Sequence, residues 1–205
     1  MDIQRIRQQI IHLNKSNGVA PLPLPSPPST FAIVAALAWT CFARCKPFAE
    51  NDDVFFFFFA DVRGRLNPPI NRRYMGACLT GCRAKLPAHE LRGEHALVAA
   101  VSALQDEVRK MKNDPMAGWD FVTSLFMVDM DRLMHVSGSS GFEAYEVADF
   151  GWGKPRRIEN ARMNDDGHVA LMRAKSGHGV QLSVSLLLPM QMDEFKVQFL
   201  KLLQG

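Results

Sequence analysis

Four cysteines are the first candidates for chemistry, because thiolates bind metals and attack electrophiles. They form two pairs, Cys41 with Cys45 and Cys78 with Cys82, each four residues apart, and no histidine stands at a zinc-finger spacing beside them. The segment 1–11 is charged and lacks the apolar core of a signal peptide. We therefore expect ordinary thiols in a reducing, cytoplasmic compartment and no metal centre.

Six histidines are candidates for a general base, because imidazole titrates near neutrality and can deprotonate a positioned hydroxyl. His95 follows Glu94 directly, but both belong to a predicted helix whose apolar stripe lies elsewhere, so we expect them on the surface. The others are His12, His89, His135, His168 and His178. Their positions alone identify no catalytic base.

The composition predicts a globular chain that binds neither nucleic acid nor membrane. With 205 residues, 47% of them hydrophobic and 22% charged, the chain can bury a real core. The net charge is only +3, and Arg72-Arg73 and Arg156-Arg157 are the only adjacent pairs of arginines, whereas nucleic acid requires a concentrated basic stripe. The longest apolar stretch, Phe31–Ala43, is too short and too rich in alanine to span a bilayer.

The N-terminal third divides into two parts. Apolar residues at helical spacing predict a helix over Asp2–Leu13, and the prolines of 21–28 then favour extended chain. That segment is a linker or, alternatively, a ligand for a proline-binding module. Ser29 and Thr30 are suited to cap a helix that runs to about Arg44. We accordingly divide the chain into a helix and linker, 1–28, and a domain, 29–205.

The rest of the sequence predicts a mixed β-sheet flanked by helices. Val54–Phe59 is apolar on both faces, as in a buried central strand, and alternation then places Asp61, Arg63 and Arg65 on one face. The periodicities also predict helices over Pro87–Lys112 and Asp193–Leu203, and strands over Val122–Val128, Glu143–Ala148, His168–Ala174 and Val180–Leu188. Strands and helices alternate without a strict βαβ repeat, which favours a mixed sheet.

One string of residues resembles a family signature. Asp149–Gly153 reads DFGWG, is followed by Lys154-Pro155, and is similar to the C-terminal signature of BAHD acyltransferases, the plant-type CoA-dependent enzymes. Other segments resemble the family in the same order: Ser29–Cys41 its post-linker helix, Asp61–Pro69 its D-x-R-x-R-x-x-P-P strand exit, and Gln191–Phe195 its closing helix. Tyr74–Cys78 and Ser137–Ser139 are similar to the subgroup that malonylates anthocyanin and phenolic glucosides. The resemblance covers about 29–205.

This resemblance implies the C-terminal half of a two-domain fold, a chloramphenicol acetyltransferase-like domain. It also implies transfer of an acyl group, other than an amino-acyl group, from acyl-CoA to a hydroxyl or amine. The subgroup suggests malonyl-CoA as the donor and a hydroxylated phenolic or flavonoid glucoside as the acceptor. Met75 and Ala77 replace the phenylalanine and asparagine of the subgroup pattern, so the malonyl preference stays open.

The catalytic histidine that the resemblance implies is missing. In the family it belongs to an H-x-x-x-D motif in the N-terminal half, and none of the six histidines here has an aspartate four residues later. We therefore predict no catalytic residue in this chain and a complementary N-terminal half as its partner. The alternative is a non-catalytic truncated relative that binds CoA or a partner protein.

The remaining implied roles concern CoA and structure. Ser29 and Thr30 begin a helix whose N-terminus would favour CoA phosphates, although capping explains them equally well. Ser137 and Ser139 are weaker candidates on the same channel. Asp149 is expected to form an ion pair with Arg63 or Arg65 rather than to act as a catalytic carboxylate. The other expected structural residues are Gly151 and Gly153, for a tight backbone, and Trp152, for apolar packing surface.

Overall fold

Five strands form one mixed sheet, in which the second strand of the chain lies at one edge and is followed by the first, third, fourth and fifth. The computed structural model describes residues 3–16, 27–71, 73–161, 163, 165–176 and 179–204. The strands are β1 Asp53–Asp61, β2 Leu79–Pro87, β3 Leu133–Ser139, β4 His168–Arg173 and β5 Val180–Ser185. The helices are α1 Ile3–Ser16, α2 Thr30–Cys45, α3 Ala88–Arg92, α4 Ala96–Asn113, α5 Phe121–Phe126, α6 Ala144–Val147 and α7 Pro189–Gln204. Strands β1, β3 and β4 run parallel to one another, and β2 and β5 are antiparallel to their neighbours.

Strand β1 is buried on both faces, as the phenylalanine run predicts. Phe56 and Phe58 belong to the main core on the helical side, and Phe57 belongs to a small second core with Val128 and Leu133. Since successive side chains of a strand point to opposite faces, a strand with two covered faces needs apolar residues at every position. The predicted strand is confirmed.

Helix α2 is the centre of the helical layer. Every residue from Ala32 to Ala43 is buried, and α2 packs against α1, α3, α4 and α7. Its many alanines let neighbouring elements approach closely, while Trp39 and Phe42 fill the larger spaces. Ile6 and Ile10 anchor α1 to the same core. No helix among the described residues is long and apolar enough to cross a membrane.

Two predicted strands are wrong. The segment predicted as Val122–Val128 contains α5, whose Phe121 ring lies 4.9 Å from that of Phe59 and 6.2 Å from that of Phe57. A short helix lying on one face of the sheet buries the same apolar residues that a strand would have buried. The segment predicted as Glu143–Ala148 contains α6, one turn that buries Tyr145.

Other elements differ from the sequence pattern at their ends or were not predicted. Strands β2 and β3 carry small and polar residues such as Thr80 and Ser137, so their alternation is weak in the sequence. The predicted helix Pro87–Lys112 is divided into α3 and α4 at Gly93. Beyond β1, a 3-10 turn at Arg63–Arg65 replaces the expected extended alternation. Most of the proline-rich segment, 21–26, lies outside the described residues, and the domain boundary at 28 stays a prediction.

Candidate functional site

The N-terminus of α2 is capped as predicted. The Oγ atom of Ser29 accepts a hydrogen bond from the backbone N–H of Ala32 at 3.2 Å, and Thr30 is the first helical residue. The first N–H groups of a helix have no intrahelical acceptor, and they carry the positive end of the helix dipole. This end of α2 therefore favours anionic ligands.

A cavity of about 300 Å³ opens beside this helix start. Its α2 side includes Pro27, Ser29 and Phe31, and its other wall is the C-terminal half of α4, with Val108, Arg109 and Lys112. Arg109 pairs with Asp106 of the same helix at 2.7 Å, while Lys112 is exposed and forms no ion pair with a described residue. The cavity thus joins a capped helix N-terminus, an apolar wall and two cations. In the sequence, Arg109 and Lys112 look like ordinary surface residues of a helix, so their place beside the cavity could not be predicted.

The C-terminal ends of the parallel strands lie at this same edge of the sheet. The ring of Phe31, in the first turn of α2, is 5.1 Å from that of Phe58, which is paired with Val136 of β3. Val136 faces α2. Because side chains alternate along a strand, Ser137 and Ser139 point to the opposite face of the sheet. The structure places these serines at the same edge of the sheet as Ser29, but not in the cavity beside it.

The hydroxyls of both serines have partners. Ser139 Oγ accepts a hydrogen bond from the backbone N–H of Gly141 at 3.1 Å, which closes the turn after β3. Ser137 Oγ lies 2.8 Å from Nε2 of His168, on the neighbouring strand β4. A hydroxyl beside an imidazole is the usual arrangement of an activated nucleophile, but His168 is only 8% exposed. Sequence spacing gave no sign of this pair.

The DFGWG loop is held by its own aspartate. Oδ1 of Asp149 accepts hydrogen bonds from the backbone N–H groups of Gly151 at 2.8 Å and of Gly153 at 3.1 Å. The two glycines have φ angles of +92° and +87°, where a side chain is strained. The tight backbone expected of these glycines is present. Trp152, in contrast, is 94% exposed and supplies no buried apolar surface, contrary to expectation.

The expected ion pair of Asp149 is not formed with either arginine. Arg63 pairs instead with the Asp61 carboxylate at 2.6 Å and donates to the Gly76 carbonyl at 2.7 Å, and Arg65 donates to the backbone carbonyl of Asp61. The 3-10 turn after β1 brings both arginines back onto Asp61, which is closer in the chain. The backbone N–H and guanidinium of Arg63 together hold the pKa of Asp61 below its usual range.

We expect Asp149→Ala to destabilise the chain modestly. The substitution removes two hydrogen bonds in an exposed loop and should cost about 1 kcal/mol, a fall in Tm of about 2–4 °C for a chain of this length. Asp149→Asn retains the acceptor oxygen and should keep the wild-type Tm. Thermal unfolding followed by circular dichroism measures both variants, and equal Tm values for the alanine variant and the wild type would contradict the loop assignment.

Comparison with known families identifies the chain. The family model described as "Transferase family" matches residues 3–202. The chain belongs to this family, the BAHD acyltransferases. Among curated members, it is 32% identical over 169 residues to a malonyl-coenzyme:anthocyanin 5-O-glucoside-6'''-O-malonyltransferase of Salvia splendens, covering 80% of this chain and 36% of that protein. It is 31% identical over 178 residues to agmatine coumaroyltransferase of Arabidopsis thaliana, covering 84% and 39%. The resemblance read from the DFGWG string is confirmed.

Solved structures share the fold. Vinorine synthase matches with a TM-score of 0.73 at 20% identity, covering 98% of this chain and 46% of that one. TRI101 of F. sporotrichioides, solved with coenzyme A and T-2, matches with a TM-score of 0.74 at 18% identity, covering 96% and 48%. The predicted fold class, a chloramphenicol acetyltransferase-like mixed sheet with flanking helices, is confirmed. The BAHD chain described here spans less than half the length of each of these relatives.

Proposed function

We propose that this chain forms the CoA side of a BAHD acyltransferase and that the general base comes from a complementary half. The observation that supports it is the cavity at the start of α2, where a capped helix N-terminus faces Arg109 and Lys112. CoA carries a diphosphate and a ribose 3′-phosphate on its nucleotide end and a long, mostly neutral arm that ends in the thiol. Helix N–H groups and cations suit the phosphates, and apolar side chains of the lining, such as Phe31 and Val108, suit the arm.

The chemistry of the proposed reaction requires a base that the described residues do not offer at the cavity. The acceptor oxygen attacks the thioester carbonyl, loses its proton to the base, and displaces the CoA thiolate, which then takes up a proton. His89 and His95 lie near α3 and the start of α4, and His135 and His168 lie on the sheet face opposite α2. Acyl transfer therefore needs an N-terminal half that carries the H-x-x-x-D histidine.

Malonyl-CoA as donor and a phenolic or flavonoid glucoside as acceptor are the finer part of the proposal. They rest on the similarity of Tyr74–Cys78 to the malonylating subgroup and on relatives named for such activities, in Salvia splendens and elsewhere. Cytoplasmic location belongs to the same proposal. It is supported by the four cysteines, which are free thiols and of which Cys41, Cys78 and Cys82 are buried.

CoA binding to the full chain tests the proposed cavity. Lys112→Glu should weaken CoA binding at least about 10-fold, because it replaces a charge-assisted contact to phosphate with repulsion. Lys110→Glu is the matched control: it makes the same change on the same helix, but Lys110 does not line this cavity. Isothermal titration with CoA measures both. Equal affinities for the two variants would contradict this placement of the CoA phosphates.

A non-catalytic role is the second candidate. It is favoured by the apolar side chains that the chain exposes around its signature loop, Val147 at 75%, Phe150 at 84% and Trp152 at 94%, because such patches occur at protein interfaces. In that role, the chain would bind CoA or a full-length relative without turnover. Activity after addition of an N-terminal half distinguishes the two candidates.

A further inference from the structure

A cluster of two histidines and an aspartate lies on the sheet face opposite α2. His135 of β3 is paired in register with His168 of β4, and Asp165 lies in the turn that precedes β4. One ligand atom from each of the three lies within 4.8 Å of the others. The histidines are far apart in the sequence, and only the parallel pairing of β3 and β4 brings them together.

One ring nitrogen of each histidine lacks a hydrogen-bond partner among the described residues. Nδ1 of His135 and Nδ1 of His168 are both buried and have no hydrogen-bond partner in the described part of the chain. His168 is 8% exposed, and its other nitrogen, Nε2, is held 2.8 Å from Ser137 Oγ. When Nε2–H donates to Ser137, the tautomer is fixed and Nδ1 carries the lone pair, as in histidines that bind metal. Buried nitrogens without partners are costly, so they point to a missing ligand.

Asp165 lies in a turn in which position 167 tolerates only glycine. Gly167 has a φ angle of +73°, and a Cβ atom there would lie 2.5 Å from the carbonyl oxygen of Leu133. The backbone N–H of His135 donates to the Gly167 carbonyl at 3.0 Å, which ties the turn to β3. The neighbouring Asp166 pairs with Lys46, whereas Asp165 forms no ion pair with a described residue. Of these two aspartates, the one beside the histidines is therefore the one without an ion pair among the described residues.

We propose that His135, His168 and Asp165 bind a zinc ion. Two imidazole nitrogens and one carboxylate oxygen form a donor set suited to Zn²⁺, and three protein ligands leave a fourth position for water. The expectation of no metal centre came from the cysteine spacing alone, and this site contains no cysteine.

Zinc binding requires a small movement of the rings. The imidazoles of His135 and His168 are stacked, with centroids 4.6 Å apart and planes 16° apart. In a tetrahedral site with Zn–N distances of about 2.0 Å, the donor atoms lie about 3.3 Å from one another. The donor atoms of the three residues now lie within 4.8 Å of one another, so the side chains must approach one another to reach this geometry. The site would join β3, β4 and the turn between them.

Titration of the metal-free full chain with zinc chloride tests the proposal. We expect one zinc ion per chain, and a Tm that rises with zinc because the ion binds the folded state. Asp165→Asn, an exposed substitution that leaves the core intact, should weaken zinc binding at least about 10-fold. Ser137→Ala should weaken it about 10- to 100-fold by releasing His168. His12→Gln removes an exposed imidazole from α1 and should bind zinc as the wild type does.

The pattern among the variants decides the proposal. Equal zinc affinities in the wild type, Asp165→Asn and Ser137→Ala would overturn it and leave only scattered surface binding. Loss of affinity in His12→Gln to the same extent as in Asp165→Asn would overturn it as well. Circular dichroism of each metal-free variant establishes that it is folded before titration, so a loss of affinity reports on the ligands. These results do not depend on acyl transfer.

Discussion

Asp166→Ala is expected to lower the free energy of unfolding by about 3–5 kcal/mol, because it leaves a buried ammonium group without its counter-ion. Lys46 follows α2, its side chain is 5% exposed, and it pairs with Asp166, which is 15% exposed. The ammonium also donates to the Asp131 carbonyl at 3.0 Å, and Asp166 accepts from the backbone N–H of Leu187 at 3.2 Å. The pair therefore joins α2 to the segments around β3, β4 and β5.

Urea unfolding measures this loss, and two variants serve as controls. Asp53→Ala breaks the exposed pair with Lys85, whose side chains are 42% and 55% exposed, and should cost less than about 1 kcal/mol. Lys46→Met combined with Asp166→Leu replaces the buried pair with apolar groups and should be nearly neutral. A cost for Asp166→Ala no larger than that for Asp53→Ala would mean that Lys46 is solvated.

The second large effect is a loss of stability at alkaline pH. Burial raises the pKa of the Cys41 thiol from an ordinary value of 9.0 to about 12, an effect that Arg44 opposes and Cys45 reinforces. Between these pH values, the unfolded chain releases a proton that the folded chain retains. Stability from this thiol is thus complete below about pH 9 and falls as pH rises towards 12, by about 1.4 kcal/mol per pH unit.

Comparison of variants isolates the contribution of this thiol from other groups that titrate at high pH. Unfolding in urea under reducing conditions gives the free energy of the wild type and of Cys41→Ala from pH 8 to 11. The difference between their free energies of unfolding should narrow as pH rises above about 9. Val34→Ala, a buried substitution on the same helix that removes no ionisable group, should show a constant gap. A constant gap for Cys41→Ala would show that its thiol ionises normally in the folded chain.

The sequence predicted correctly the elements whose apolar residues follow one clear pattern along their whole length. Val54–Phe59 is apolar at every position and lies between two strands, and the segment Asp193–Leu203 repeats at helical spacing within α7. The predictions failed where an apolar run was short. Val122–Val128 fits a strand or one helical turn equally well by composition, and the packing of Phe121 against the Phe57 and Phe59 rings of β1 decides for the helix.

The candidate site was predicted only where its residues act locally. Ser29 was identifiable because a cap is defined by its neighbours in sequence. Arg109 and Lys112 were not, because their relation to the cavity depends on how α4 packs beside α2. The family pattern predicted an arginine partner for Asp149. In the structure, the Asp149 carboxylate instead accepts hydrogen bonds from backbone N–H groups of its own loop. The His135–His168 pairing arises from sheet register, which no local pattern reveals.

Acyl transfer tests most directly the proposal that this chain is an acyltransferase half without its own general base. The assay supplies malonyl-CoA and a panel of flavonoid glucosides to the chain alone, and then to the chain co-expressed with an N-terminal half that carries H-x-x-x-D. We expect no turnover by the chain alone and turnover once the half is present. Turnover by the chain alone would contradict it and would make the Ser137–His168 pair the first base to substitute.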